Sequence, residues 1–234
     1  RLSPEHWNAI VHCVDQFSAD CAQAGSPHAF SAVQAMQALD AASSALAAIT
    51  GAQTDRMTRD DGWQLLSIGR HVERLGFLSS ALDLAVEVGA FEGSPDEAHS
   101  ADENSSHFAA LLSLFDSTIT FQAQYQQSRE LAPLIELLVQ DNDNPRSLAW
   151  VARTLRGRLS KLAKTPMGEP DALARLVPNM KHTDLEQLCA SNEAGHHPNL
   201  RACLTECMQA AWQVSDAISA HYFSHTDDAD SVGA

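Results

Sequence analysis

The chain has 234 residues and a formal charge of −15 at pH 7, which allows one domain with a substantial core and argues against a general attraction to nucleic acid. Aromatic residues make up only 6% against 44% hydrophobic, and abundant alanine fills the gap, a balance that favours helix over sheet. No apolar run reaches the roughly 20 residues a bilayer span needs, and no secretory signal pattern opens the chain. The five cysteines are odd in number and fall in predicted helices, so small buried thiols in a reduced, cytoplasmic setting are expected. No CxxC or HExxH pattern supports a metal site.

Ser3-Pro4 starts a helix marked by Trp7, Ile10, Val11, Val14, Phe17 and Cys21, and Gly25-Ser26-Pro27 breaks it. A second helix is expected from about Ala29 to Thr50, ended by Gly51. The stretch from Met57 to Arg74 then opens a helix over about 61–88, with Asp60 or Asp61 as cap and Gly89 as stop. At about 100° per residue it shows two apolar arcs. Leu65, Ile68, Gly69, Val72, Leu75 and Gly76 form one; Trp63, Leu66, Phe77, Ala81 and Leu84 form the other. A helix apolar on opposite faces is packed on both, so this one is expected at the centre of an all-α, bundle-like array.

Gly93–Ser106 is polar and acidic, the composition of a mobile surface loop. Phe108 to Tyr125 and Leu131 to Val139 carry the next helical patterns. In Asp141-Asn142-Asp143-Asn144-Pro145-Arg146-Ser147-Leu148, Asn144 suits a cap and Pro145 a first helical position. The helix that follows buries Leu148, Val151, Leu155, Leu159 and Leu162. Residues 171–189 are helical with a break at Pro178, and a last helix from about Leu200 ends near His225. His221 and His225 lack a third ligand and better suit the C-terminal dipole. The sequence thus describes one helical domain over 1–225 and an acidic flexible tail over 226–234.

Ten of the fifteen basic residues form two groups: Arg56, Arg59, Arg70 and Arg74, and Arg146, Arg153, Arg156, Arg158, Lys161 and Lys164. Arg70, Arg74, Arg146 and Arg153 offer guanidinium forks to carboxylates or phosphates, with Glu73 orienting one of them or accepting from a substrate amine. A second reading makes Glu73 a general acid or base in an apolar arc. A third joins Arg70, Glu73 and Arg146 into a buried ionic network without chemistry. Trp150, between Arg146 and Arg153 on the off-core side, marks a second packing layer or a partner surface, or else covers its neighbours' stems.

Three stretches resemble the bacterial alpha-E domain family. Met57–Arg74 is similar to its Met-x-Arg-x-x-Gly-Trp and Gly-Arg-x-x-Glu-Arg pattern, Asp141–Leu148 to its Asp-x-x-Asn-Pro-Arg-Ser-Leu segment, and His221-Tyr222-Phe223-Ser224-His225 to a C-terminal feature of its longer members. The family's opening Trp-x-x-Arg-x-x-Glu-Arg helix has no counterpart, so the resemblance implies the C-terminal part of such a domain. It also implies an all-helical accessory domain beside a circularly permuted ATP-grasp ligase, with transglutaminase-like proteins and proteasome-like peptidases in the same neighbourhoods. The implied setting is ATP-dependent peptide or amide bond formation on a peptide or acidic substrate. ATP and Mg would belong to the partner ligase, and no cofactor is expected in this chain.

Overall fold

Local capping chemistry decides where several helices begin in the computed structural model, which describes residues 3–26, 29–89, 100–126, 128, 130–162, 172–180 and 183–223 (23–26, 29, 30 and 100–106 by backbone alone). In α1 (Pro4–Ala24) the Ser3 hydroxyl accepts from the His6 N–H at 3.2 Å, and proline takes the first helical position. A two-residue antiparallel pairing of β1 (Gly25–Ser26) with β2 (Ala29–Phe30) turns the chain into α2 (Ala32–Arg56), capped by the Ser31 hydroxyl on the Gln34 N–H. α2 runs past Gly51, the expected stop. A glycine inside a helix costs only about 1 kcal/mol. That is too little to end a helix whose next turn buries Gln53.

The Asp60 carboxylate accepts from the Trp63 N–H at 2.9 Å and so caps α3 (Asp61–Glu87); Gly89, at φ 67°, ends it as the sequence predicts. The chain forms two compact units, Arg1–Trp63 and Gln64–Ala234. In the first, α1 packs along α2 over His6, Ala38, Ile49 and Gln53. Trp7, Val11 and Val14 of α1 and Val33, Met36, Leu39 and Leu46 of α2 stay exposed. The Arg59 guanidinium lies 4.0 Å over the Trp63 ring.

The second unit holds the rest of α3 and α4 (Ser100–Leu114), α5 (Thr118–Tyr125), α6 (Leu131–Ile135), α7 (Leu148–Leu162), α8 (Ala172–Leu176), α9 (Leu185–Cys189) and α10 (Pro198–Ile218). Single π-helical turns follow α6 (Glu136–Gln140) and α10 (Ser219–Phe223). Its core joins Ile68, Val72, Leu75, Leu78, Leu82 and Val86 of α3 to Leu148, Val151 and Leu155 of α7 and Leu200, Leu204 and Val214 of α10. α10 passes beside Gly76, where a Cβ would make an ordinary contact with that of Ala211 at 3.6 Å. Arg201 of α10 grips Asp83 with both ends of its fork, at 3.0 and 3.3 Å. The expected all-α array is therefore what forms, with α3 in the core of the second unit.

Several expectations are corrected. The second apolar arc of α3 is packed only in part: Trp63 is buried and Leu66 and Ala81 are half-buried, but Phe77 is 55% and Leu84 60% exposed. Arg70, Glu73 and Arg74 interrupt that arc. Burying unpaired charges would cost more than the roughly 1.5–3 kcal/mol each apolar side chain gains by burial. Residues 100–106, read as loop, begin α4, whereas 93–99, the tail at 226–234 and His225 lie outside the described residues. The 108–125 pattern is two helices, and Leu131–Val139 turns π-helical at Glu136, where the Asp141 N–H reaches back to the Glu136 carbonyl at 2.9 Å. Of the cysteines only Cys207 is buried, and Cys21 is exposed. No described helix is long and apolar enough to cross a membrane.

If Phe77 and Leu84 mark an open side of α3, truncation should be costly on the first arc and cheap there. Leu75→Ala is expected to lower unfolding free energy by about 2–5 kcal/mol, and Leu84→Ala by less than about 0.5 kcal/mol, in chemical denaturation. Equal losses would mean that both arcs are buried.

Candidate functional site

The segment between the π turn and α7 is held by its own side chains. The Asp141 carboxylate accepts from the N–H groups of Asp143 and Asn144 at 2.8 and 3.2 Å. Asn144 is buried; its amide donates to the Leu137 carbonyl at 3.1 Å and its oxygen accepts from the Arg146 N–H at 3.1 Å. Ser147, wholly buried, donates to the Asp141 carbonyl and accepts from the Trp150 N–H at 3.1 Å. Ser147 is thus the cap of α7, correcting the assignment of that role to Asn144, and Pro145 lies in the turn ahead of the helix. Asn144 is an Asx-turn residue because Ser147 is better spaced for the first free N–H groups.

This turn carries Arg146 to the carboxylate of Asp116, with the two side chains 44% and 79% exposed. Asp116 occupies a left-handed position, φ 47°, just past α4. The Asp116 N–H donates to Ser113 at 2.9 Å and the Ser117 N–H to Leu112 at 2.8 Å, a Schellman ending with aspartate where glycine is usual. Such a residue costs about 1–2 kcal/mol in that conformation. The pair it makes, exposed as it is, returns about 0–1 kcal/mol.

Around the pair opens a cleft of about 600 Å³. Glu73, Arg74, Phe77 and Leu78 of α3 form one wall, Leu114 to Asp116 another, and Arg146 a third. Phe115 and Leu78 are buried at its base, while Phe77 and Leu114 stay half-exposed at its edge. The cleft unites one arginine from each basic group. Of the residues singled out in the sequence, Glu73, Arg74 and Arg146 meet here, and all three are exposed. The proposed buried network of Arg70, Glu73 and Arg146 does not form; Arg146 pairs with Asp116 instead. Arg153 is elsewhere, its guanidinium donating to the Asn142 carbonyl at 2.7 Å. Among the described residues no group of three or more His, Cys, Asp or Glu is arranged to hold a metal ion.

Trp150 is half-buried and stacks on His71, centroids 5.9 Å apart and planes 28° from parallel. His71, Asp116 and Leu114 were not found by sequence reasoning. For His71 the signal was present, since it shares a helix with Arg70 and Arg74 and follows Ser67 by one turn. Asp116 carries none, because its partner is 30 residues away and its backbone conformation is not written in its type. The His71 Nδ1–H donates to the Ser67 carbonyl at 2.6 Å.

Burial is the chief cause that lowers the His71 pKa from 6.5; the Ser67 hydrogen bond opposes it, and the charges of Arg74, Arg158 and Arg70 add to the lowering. Burial, then Arg74, also lowers that of Arg70. A base held neutral by the fold contributes stability that is complete above its unfolded value and is lost as pH falls through it toward the folded value. Unfolding free energy is therefore expected to decline as pH drops below about 6.5, the ordinary His value. His71→Gln should flatten that slope, with the His71 ring titrating below the free value by NMR. A ring titrating above 6.5 would contradict this.

Alpha-E, described as "a predicted alpha-helical domain with a conserved ER motif", is the family whose profile matches residues 1–223. The sequence holds a single Glu-Arg dipeptide, Glu73-Arg74, and it lines the cleft. No curated protein and no solved structure matches the chain. With the match running from residue 1 to residue 223, the chain belongs to the Alpha-E family.

Proposed function

We propose that this chain is an accessory domain of a bacterial, cytoplasmic, ATP-grasp-linked system that forms peptide or amide bonds. It docks a circularly permuted ATP-grasp ligase and holds an anionic group of the substrate in the Glu73–Arg74–Arg146 cleft. The observation that carries this reading is the convergence of Arg74 and Arg146, from separate basic groups, on one solvent-open cleft in an acidic molecule. A ligand carboxylate or phosphate can displace Asp116 from Arg146, since an exposed pair of this kind is worth only about 0–1 kcal/mol. Among the described residues no carboxylate lies within 4 Å of Arg74. Glu73, on the same wall, can accept from a substrate amine.

Phe77 and Leu114 give the cleft an apolar edge beside its charges, the mixture that protein interfaces use for anchor and rim. Glu73 is exposed to water and so lacks the burial that independent acid–base catalysis was to rely on. In this reading ATP and Mg are bound by the ligase, and Arg70, half-buried beside Arg74, adds to the positive field.

Reconstituted ligation with an ATP-grasp partner tests the proposal. Arg74→Ala and Arg146→Ala should each lower chain-dependent ligation by about tenfold or more, the loss of one charge-assisted contact, while stability moves by less than about 1 kcal/mol. Full ligation by both variants would refute it. Gly69 offers a second check, because a Cβ there would meet no described atom within 4 Å. Gly69→Ala is expected to stabilise the free chain by about 0.5–1 kcal/mol in denaturation. If the glycine serves close approach of the ligase, the same variant binds it more weakly.

A further inference from the structure

The second basic group does not serve one cleft alone. Arg153 and Arg156, at i and i+3 on α7, share a helix face and both line a separate pocket of about 390 Å³. Asn142 and Ala149 form further walls, and Pro178 and Met180, from the turn after α8, close it. Among the described residues no acidic side chain lines this pocket and neither guanidinium has a carboxylate within 4 Å. In a chain of charge −15, two arginines brought together without a carboxylate leave a positive recess. One N–H of Arg153 is fixed on the Asn142 carbonyl at 2.7 Å, which orients the fork while leaving its other donors for a ligand.

We infer that this pocket binds an organic phosphate monoester, its phosphate on Arg153 and Arg156 and its apolar body on Pro178 and Met180. A planar carboxylate fills one guanidinium fork, whereas the three terminal oxygens of a phosphate can be shared between two. Met180 is buried and Pro178 half-buried, so the floor is apolar and rewards a ligand with a carbon body over a bare ion. The turn at 141–148 ties the pocket to the rest of the site, since it presents Asn142 here and Arg146 to the first cleft. No described residue lines both recesses, so the inference stands apart from the docking role.

Calorimetric titration of the full chain with phenyl phosphate, inorganic phosphate and benzoate tests it. Phenyl phosphate should bind about tenfold or more tightly than either of the others. Arg156→Ala and Arg153→Lys, the second keeping charge but losing the fork, should each weaken it by a similar factor without lowering the thermal midpoint. Benzoate binding as well as phenyl phosphate, or affinity that survives Arg156→Ala, would overturn the assignment.

Discussion

Both recesses depend on the hydrogen bonding of one buried turn. Asn144 and Ser147 are out of water, and each is satisfied on its donor and its acceptor side by a backbone group of the 137–150 segment. Leaving such a group unpaired costs about 1–3 kcal/mol. The turn therefore has one low-energy shape, and that shape sends Arg146 one way and the Asn142 carbonyl, with Arg153 on it, another. Flexible arginine side chains are placed by rigid backbone, which limits the entropy a ligand must freeze on binding.

The opposite wall is set by α3. Its continuous apolar stripe, from Ile68 to Val86, is sealed against α7 and α10 in the second unit's core. With that face committed, Glu73 and Arg74 must face water, and Phe77 stays exposed beside them. The charged residues are thus what keeps the second arc open around Phe77. The strained Asp116 completes the cleft at a net cost to the fold, since its left-handed backbone costs more than its exposed ion pair returns. A local loss of this kind is what a binding surface, rather than a packed core, can be expected to retain.

What the sequence disclosed follows the range of the interactions involved. Ser3, Asp60 and Gly89 act on backbone within four residues, so their caps were legible, as were the buried leucines of α7. Gly51 misled because glycine is only a weak helix breaker when the next turn is packed. The Asn144-Pro145 signal was correct in kind and misplaced by three residues, because Ser147 outcompeted Asn144 for the free N–H groups of α7. The site was legible in part. Residue type and grouping pointed to Arg74 and Arg146, but their meeting, the intrusion of Asp116, and the diversion of Arg153 are products of tertiary packing that no local pattern encodes.

The central claim is that the 141–148 turn acts on the cleft by placing Arg146. A double-mutant cycle of Asn144→Ala and Arg146→Ala, read on binding of a diglutamate peptide to the full chain under conditions where every variant is folded, tests this most directly. Asn144→Ala should weaken binding about as much as Arg146→Ala, and should add nothing once Arg146 is gone. Losses that simply add, or normal binding by Asn144→Ala, would show that the turn does not set the arginine's position and would contradict the account.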